Sequence, residues 1–138
     1  MSELVRFGVS LEKGLLDKFD VLIRKRGYTN RSEALRDLIR QELVKKQWEE
    51  DGEVAGAITF VYNHHKRELV NRVIDIQHDF QNIIVSTQHI HLDHDNCLEI
   101  VAVRGNARDV EKVADILRSV RGVLYGTLSM SSIGRDID

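Results

Sequence analysis

HIHLDHDNCLE, residues 89–99, gathers three histidines and the chain's only cysteine into eleven positions. In an extended strand, residues i and i+2 point to the same side, roughly 6.6 Å apart. His89 and His91 can therefore share one ion. Asp93-His94-Asp95-Asn96 is a run of turn formers, so the strand is predicted to fold back on itself here. With His94 at the tip, His91 stands opposite Cys97, Ile90 opposite Leu98 and His89 opposite Glu99. Opposed residues share a face. One face then carries His89, His91, Cys97 and Glu99, and the other Ile90, Leu92, Leu98 and Ile100.

Three donors leave a coordination shell incomplete. His78, at the end of a predicted helix, is the candidate for the fourth position. Three imidazoles and one thiolate suit a borderline divalent ion: zinc if tetrahedral, nickel(II) or copper(II) if planar. Spacing leaves that choice open. The plain alternative for a His-x-His pair is a polar strand face without metal. The cysteine opposite and the spare histidine weigh against it. His64, His65 and His94 read as surface or turn histidines.

Composition sets the frame. Of 138 residues 42% are apolar and none is proline, which predicts one ordinary folded domain or two small ones. A single cysteine forbids an intrachain disulfide and fits a reducing compartment. No signal-peptide pattern opens the chain and no apolar run reaches membrane length, so the expected location is cytoplasmic, with no membrane partner. The net charge of −2 conceals an asymmetry: residues 1–47 carry +4 and residues 48–138 carry −6. A basic first third on an acidic remainder suggests an anion-binding module joined to a differently tasked domain.

Leu4 to Leu11, LVRFGVSL, alternates Val5, Phe7, Val9 and Leu11 with Arg6, Gly8 and Ser10, the pattern of a short strand. One such strand cannot satisfy its own backbone, and its nearest partner is the same strand of a second chain. Glu12 to Arg26 reads as a helix with Leu15, Leu16, Phe19, Leu22 and Ile23 along one stripe, and Gly27 stops it. Asn30 is placed to cap the next helix, with Glu33 completing a capping box. Leu35, Leu38, Ile39 and Leu43 are its expected buried stripe. Its first turn, beside Arg31 and Ser32, offers free backbone N–H groups to a phosphate.

Strand, helix and helix in about 45 residues, with RFGVSL ahead of GYTNRSEALRDLIR, resembles a ribbon-helix-helix DNA-binding domain. In that family two chains pair their strands into a ribbon that enters the major groove. The resemblance gives Arg6, Gly8 and Ser10 the base-reading positions. Gly8 departs from the family, which usually has Ser or Thr there, and has no side chain to donate. Asn30, Arg31 and Ser32 would clamp phosphate.

WEEDGE, residues 48–53, marks the expected hinge. From Val54 the pattern changes: a strand over 54–63, a helix over 65–80, the hairpin strands 83–93 and 97–104, a helix over 107–120 closed by Gly122, and a last strand over 123–130. The order βαββαβ is the split ferredoxin-like motif of ACT-type domains. The fold class is thus α+β, with a DNA-binding domain at 1–47, a hinge at 48–53 and an ACT-like domain at 54–138. Helices are expected on one face of the sheet. The metal-side face continues as Ile83, Val85 and Thr87 on one strand and Val101 and Val103 on the next. These apolar residues are expected to pack on a second copy of the sheet, with His89, His91 and Cys97 at the subunit boundary.

The whole order of motifs, RFGVSL, GYTNRSEALRDLIR, YNHHKREL, IQH, HIHLDHDNCLE and RGV, resembles the nickel-responsive repressor family (NikR). The resemblance implies a homotetramer of two ribbon-helix-helix dimers flanking four ACT-like domains. It implies square-planar Ni(II) on His89, His91 and Cys97 of one subunit and His78 of another. Tyr62, His64 and Glu99 would stand around that site, and Glu33 and Asp37 would help bind a second, weaker cation. It also implies a palindromic operator DNA and repression of nickel-uptake genes. The alternatives are a metalloenzyme, for which Glu99 is the only obvious base, a nickel storage or delivery protein, and a regulator responding to copper(II).

Overall fold

The computed structural model describes residues 3–138 and contains four helices and four strands. The chain divides into two compact units, one reaching Leu43 and including Asp136–Asp138, the other Val44–Arg135.

The first unit holds α1 (Lys13–Lys25) and most of α2 (Arg31–Glu49). Gly27, at φ 85°, ends α1 in the left-handed region that costs glycine little. The Tyr28 N–H then donates back to the Ile23 carbonyl at 3.0 Å. Asn30 caps α2 as expected, its Oδ1 accepting from the Glu33 N–H at 2.9 Å. The reciprocal Glu33 side-chain bond of a capping box is absent among the described residues.

The apolar stripes of this unit are not buried within one chain. Ile23 and Ala34 are covered, while Leu15, Leu22, Leu38, Ile39 and Leu43 are exposed. Residues 3–12 form no strand in the single chain, and Val5, Phe7, Val9 and Leu11 lie open, Phe7 at 71% exposure. The physical reason is one of partners: a lone strand has nothing to complete its hydrogen bonds, and two helices cannot enclose both their own stripes.

In the second unit β1 (Glu53–Asn63), α3 (Arg67–Asp79), β2 (Ile84–His91), β3 (Asn96–Asn106), α4 (Ala107–Ser119) and β4 (Val123–Met130) follow in order. The sheet order is β2-β3-β1-β4 with every neighbour antiparallel. This is the split βαββαβ arrangement read from the sequence. The segment 48–53 does not behave uniformly. Trp48 and Glu49 are the last residues of α2, 50–52 turn, and Glu53 opens β1. Trp48 is 5% exposed, and its indole N–H donates to the Ser131 carbonyl at 2.9 Å. Gly56 accommodates it: a Cβ there would stand 2.7 Å from the Ser129 carbonyl and 3.5 Å from the Trp48 ring.

The two sheet faces are assigned differently from the sequence expectation. Cys97, Glu99, Val101 and Val103 are buried, whereas Leu98, Ile100 and Ala102 between them are half-buried. Cys97 belongs to one core with Leu69, Val73 and Ile76 of α3 and with Val110, Val113 and Leu117 of α4. The metal-side face is therefore the helix-covered face, and its apolar continuation is satisfied within the chain. The cause lies in β1. Its Ile58, Phe60 and Tyr62 pair with Val101, Glu99 and Cys97, and these large buried side chains carry that face of β3 under the helices. Val85 also leaves the expected alternation: the register shifts between Ile84 and Ser86, and Val85 is exposed.

Candidate metal centre

The hairpin of β2 and β3 has the register read from its turn residues. His91 pairs with Cys97, Ile90 with Leu98, and His89 with Glu99. The tip is locked by Asp93, whose Oδ1 accepts from the Asp95 and Asn96 backbone N–H groups at 2.9 and 2.7 Å. Those bonds hold the Asp93 carboxyl below the usual carboxylate range. The His89 and His91 rings lie 5.2 Å apart. Both histidines are exposed at the sheet edge, while Cys97 is buried beside them.

Around His89 the polar groups form a closed set. Glu99, 6% exposed, takes a bond from the Tyr62 hydroxyl at 3.2 Å and from the Gln77 amide at 2.7 Å. His89 Nδ1 stands 3.2 Å from the same Glu99 Oε1 and 3.3 Å from the Tyr62 hydroxyl. With the carboxylate as acceptor, Nδ1 carries the proton and Nε2 keeps its lone pair. The Thr87 hydroxyl donates to the Gln77 side-chain Oε1 at 3.1 Å. Burial, then the Glu99 charge, raises the Tyr62 pKa strongly, so the phenol stays a donor. The Cys97 thiol points at the Tyr62 carbonyl, 3.6 Å away, and burial pushes its pKa up.

Tyr62 and Glu99 thus both stand beside His89. His64 meets His91 edge-on, ring centres 5.1 Å apart, and burial with four neighbouring imidazoles lowers its pKa. His78 lies in the last turn of α3, exposed, and takes no part in these hydrogen bonds or ring contacts. The sequence reading gave Gln77 no role and placed Thr87 on the metal-side face without a partner. The only signal was position: Gln77 precedes His78, and Thr87 alternates with His89 and His91 on one strand face. It also passed over His65, His94 and Asp95, whose donor atoms all lie within 4.8 Å of one another.

In the first unit Arg6, Gly8 and Ser10 are exposed, as base readers must be, and so is Ser32. Asn30 is engaged as the α2 cap. Arg31 is engaged too: its Nε and Nη2 each donate to a carboxylate oxygen of Asp20 at 2.9 Å. Asp37 accepts from the Tyr28 hydroxyl at 2.6 Å, and the donor atoms of Glu33 and Asp37 form no cluster with a third ligand among the described residues.

The chain matches two family models in series, the ribbon-helix-helix protein of the copG family over residues 5–46 and the NikR C-terminal nickel-binding domain over residues 55–131. A ribbon-helix-helix unit followed by a metal-binding α/β domain defines a metal-responsive regulator, not an enzyme. A protein of Syntrophus aciditrophicus, described as a nickel-responsive regulator, is 63% identical over 135 residues, 98% of each chain. One from Chlorobium limicola with the same description is 63% identical over 134 residues, covering 97% of this chain and 100% of its own. Another, from Pyrococcus furiosus, is 53% identical over 135 residues, covering 97% and 98%. The chain belongs to the NikR family of nickel-responsive regulators, and its cofactor is Ni(II). An uncharacterized protein of Thermotoga maritima shares the fold over 56% of this chain and 96% of its own, with a TM-score of 0.51 and 11% identity. No helix among the described residues is long and apolar enough to cross a membrane.

Proposed function

We propose that His89, His91 and Cys97 of one chain and His78 of another hold Ni(II), and that loading this site raises affinity for a palindromic operator. The assembly is a homotetramer acting in the cytoplasm, and the consequence is repression of nickel-uptake genes. The observation that carries the reading is the hairpin register, which sets His91 opposite Cys97 and His89 opposite a buried glutamate. Two imidazoles and a thiol are a donor set that nickel accepts. The bare apolar stripes of the first unit and its exposed alternating segment support pairing with a second chain.

The residues divide the work. Glu99 and Tyr62 hold His89 by Nδ1, which leaves Nε2 as the free ligand atom. Cys97 gives up its Sγ proton on loading, which leaves a thiolate on the same strand face as the imidazoles. Gln77, on the helix that carries its own chain's His78, donates to Glu99, so α3 and the carboxylate that holds His89 share one hydrogen-bond set. When bound, nickel supplies bonds to both chains, and joining them makes the second ribbon contact effectively intramolecular. Arg6 and Ser10 reach base edges, and the first turn of α2 meets phosphate. Glu33 and Asp37 remain the proposed contributors to a weaker cation site.

The test is a DNA titration with nickel, copper(II), zinc and no metal, using duplexes selected from a random pool. Nickel should raise specific affinity most. Equal affinity with and without every metal would sink the reading. A second expectation concerns Glu99→Gln. The amide cannot accept from Gln77, Tyr62 and His89 together, so nickel affinity should fall about 10–100-fold while the fold persists at a cost of about 1–3 kcal/mol. Chelator competition and urea unfolding measure the two effects.

A further inference from the structure

We propose that residues 131–138, which follow β4, form a strap along one face of α2, and that this strap stiffens the helix so that nickel loading is felt at the DNA-binding unit. The division between the two compact units falls within α2, after Leu43, and the chain crosses back after Arg135. The expected hinge, 48–53, is not free to bend. The Gly52 N–H donates to the Gln47 carbonyl at 2.7 Å, the Gly52 carbonyl accepts from the Ala107 N–H at 3.0 Å, and Asp51 Oδ1 accepts from the Arg108 N–H at 2.9 Å. These bonds hold 48–53 to the second unit, so bending is left to α2 itself. Residues 40–43, the turn of α2 before the boundary, are all exposed within the chain. A helical turn with no cover opens easily.

The segment after β4 supplies what the helix lacks. Ser131 leaves the sheet with its N–H still bonded to the Ala55 carbonyl at 2.9 Å. Three carbonyls then accept from α2 in reverse order: Ser131 from the Trp48 indole at 2.9 Å, Arg135 from the Gln47 amide at 3.1 Å, and Ile137 from Arg40 Nε at 2.9 Å. Arg40, Gln47 and Trp48 are spaced i, i+7 and i+8, which sets them on one face of a helix. Trp48 and Gln47 hold residues 131–135 within the second unit, and Arg40 holds Ile137 within the first. Chain ends are loose unless something ties them down, and here each tie is a side chain of the same helical face. The backbone is shaped for it: Gly134 at φ 84° and Asp136 at φ 61° are left-handed, and the Gly134 N–H donates to Ser132 Oγ at 3.0 Å. A helix free to bend at one bare turn would absorb a rearrangement of the metal-binding unit, whereas a braced one passes it on. The coupling role rests on the reading that nickel raises operator affinity. The strap does not depend on it.

The experiment compares the parent chain with two variants. Deleting residues 134–138 removes the acceptors of Arg40 and of the Gln47 amide and leaves Ser131 on Trp48. It also takes away Arg135, Asp136 and Asp138, which leaves the chain less negative, so charge alone would tighten DNA binding. Gly134→Val changes no charge. A Cβ there meets nothing within 4 Å, but a β-branched residue is disfavoured at φ 84°. In the metal-free chains, backbone amides of residues 40–46 should exchange about tenfold faster in both variants, with α3 unchanged. With nickel, the ratio of operator affinities, loaded over stripped, should fall about fivefold or more. Nickel affinity by chelator competition should stay at the parent value, because none of the strap's bonds involves the hairpin. Unchanged exchange in both variants overturns the strap. Faster exchange with a ratio as large as the parent's overturns the coupling role, and so does a loss of nickel affinity in both. A parent chain that gains no operator affinity from nickel refutes the reading of function instead, and the strap is then decided by the exchange result alone.

Discussion

Cys97→Ala is expected to lose tight nickel binding and the sulfur-to-metal absorption together, while the chain stays folded. A metal site of this kind is worth on the order of 10–16 kcal/mol shared over four ligands, so removing one should weaken binding by on the order of 10²–10³-fold. The loss falls on the only thiolate, the softest donor in the set. The structural cost is small by comparison. Cys97 is fully buried within the core, and trimming it to alanine leaves a void about one sulfur in size, worth about 1 kcal/mol. Its S–H contributes one weak bond to the Tyr62 carbonyl, so no strong donor is orphaned. Cys97→Ser is the useful companion. Its oxygen sits on a shorter bond than sulfur, which is already 3.6 Å from that carbonyl, so folding should suffer at least as much, and with a hard neutral oxygen in place of a thiolate affinity should remain low. Chelator competition with absorbance, alongside thermal unfolding, measures both effects. Parent-like nickel affinity in both variants would mean that the ion is held elsewhere.

Much of this site was legible because a β-hairpin has a short rule. Four turn formers between two periodic runs set the tip, and a period of two then assigned His91 to Cys97 and His89 to Glu99. The same rule says which residues share a face but not which face is covered. That was decided by β1, where Phe60 and Tyr62 are fully buried and stand opposite Glu99 and Cys97. The pairing of β1 with β3 joins residues 35 apart for Tyr62 and Cys97, and no local pattern reports it. His65 and His94, 29 residues apart, meet for the same reason. Val85 escaped because a bulge inserts one residue without altering the surrounding composition. In the first unit the caps and stops were local, so Gly27 and Asn30 were placed correctly. The apolar stripes were placed correctly along the helices, but within one chain nothing covers them. Periodicity marks a surface that must be buried and is silent about which chain buries it.

Arg6→Ala should abolish sequence discrimination on DNA and leave nickel binding untouched. Arg6 is exposed in the alternating segment ahead of α1, outside the unit that carries the hairpin. A guanidinium in the major groove can take both acceptors of a guanine, a contact worth about 1–3 kcal/mol. In the proposed tetramer two ribbons of two strands present four copies, so the variant forfeits on the order of 4–12 kcal/mol of base-specific energy. That matches the whole gap of about 4–10 kcal/mol between specific and non-specific binding. Non-specific affinity should fall far less, because phosphate contacts elsewhere persist. Arg6→Lys separates charge from geometry: it restores the salt dependence but not the fork, so discrimination should stay lost. Gly8 offers the converse change. A side chain there meets nothing within 4 Å, so Gly8→Ser should fold normally and add a hydroxyl to the reading face. Anisotropy titrations with operator and scrambled duplexes at two salt concentrations measure all three. Undiminished discrimination by the Arg6→Ala chain would remove the segment from the groove, and with it the proposed link between the hairpin and the operator.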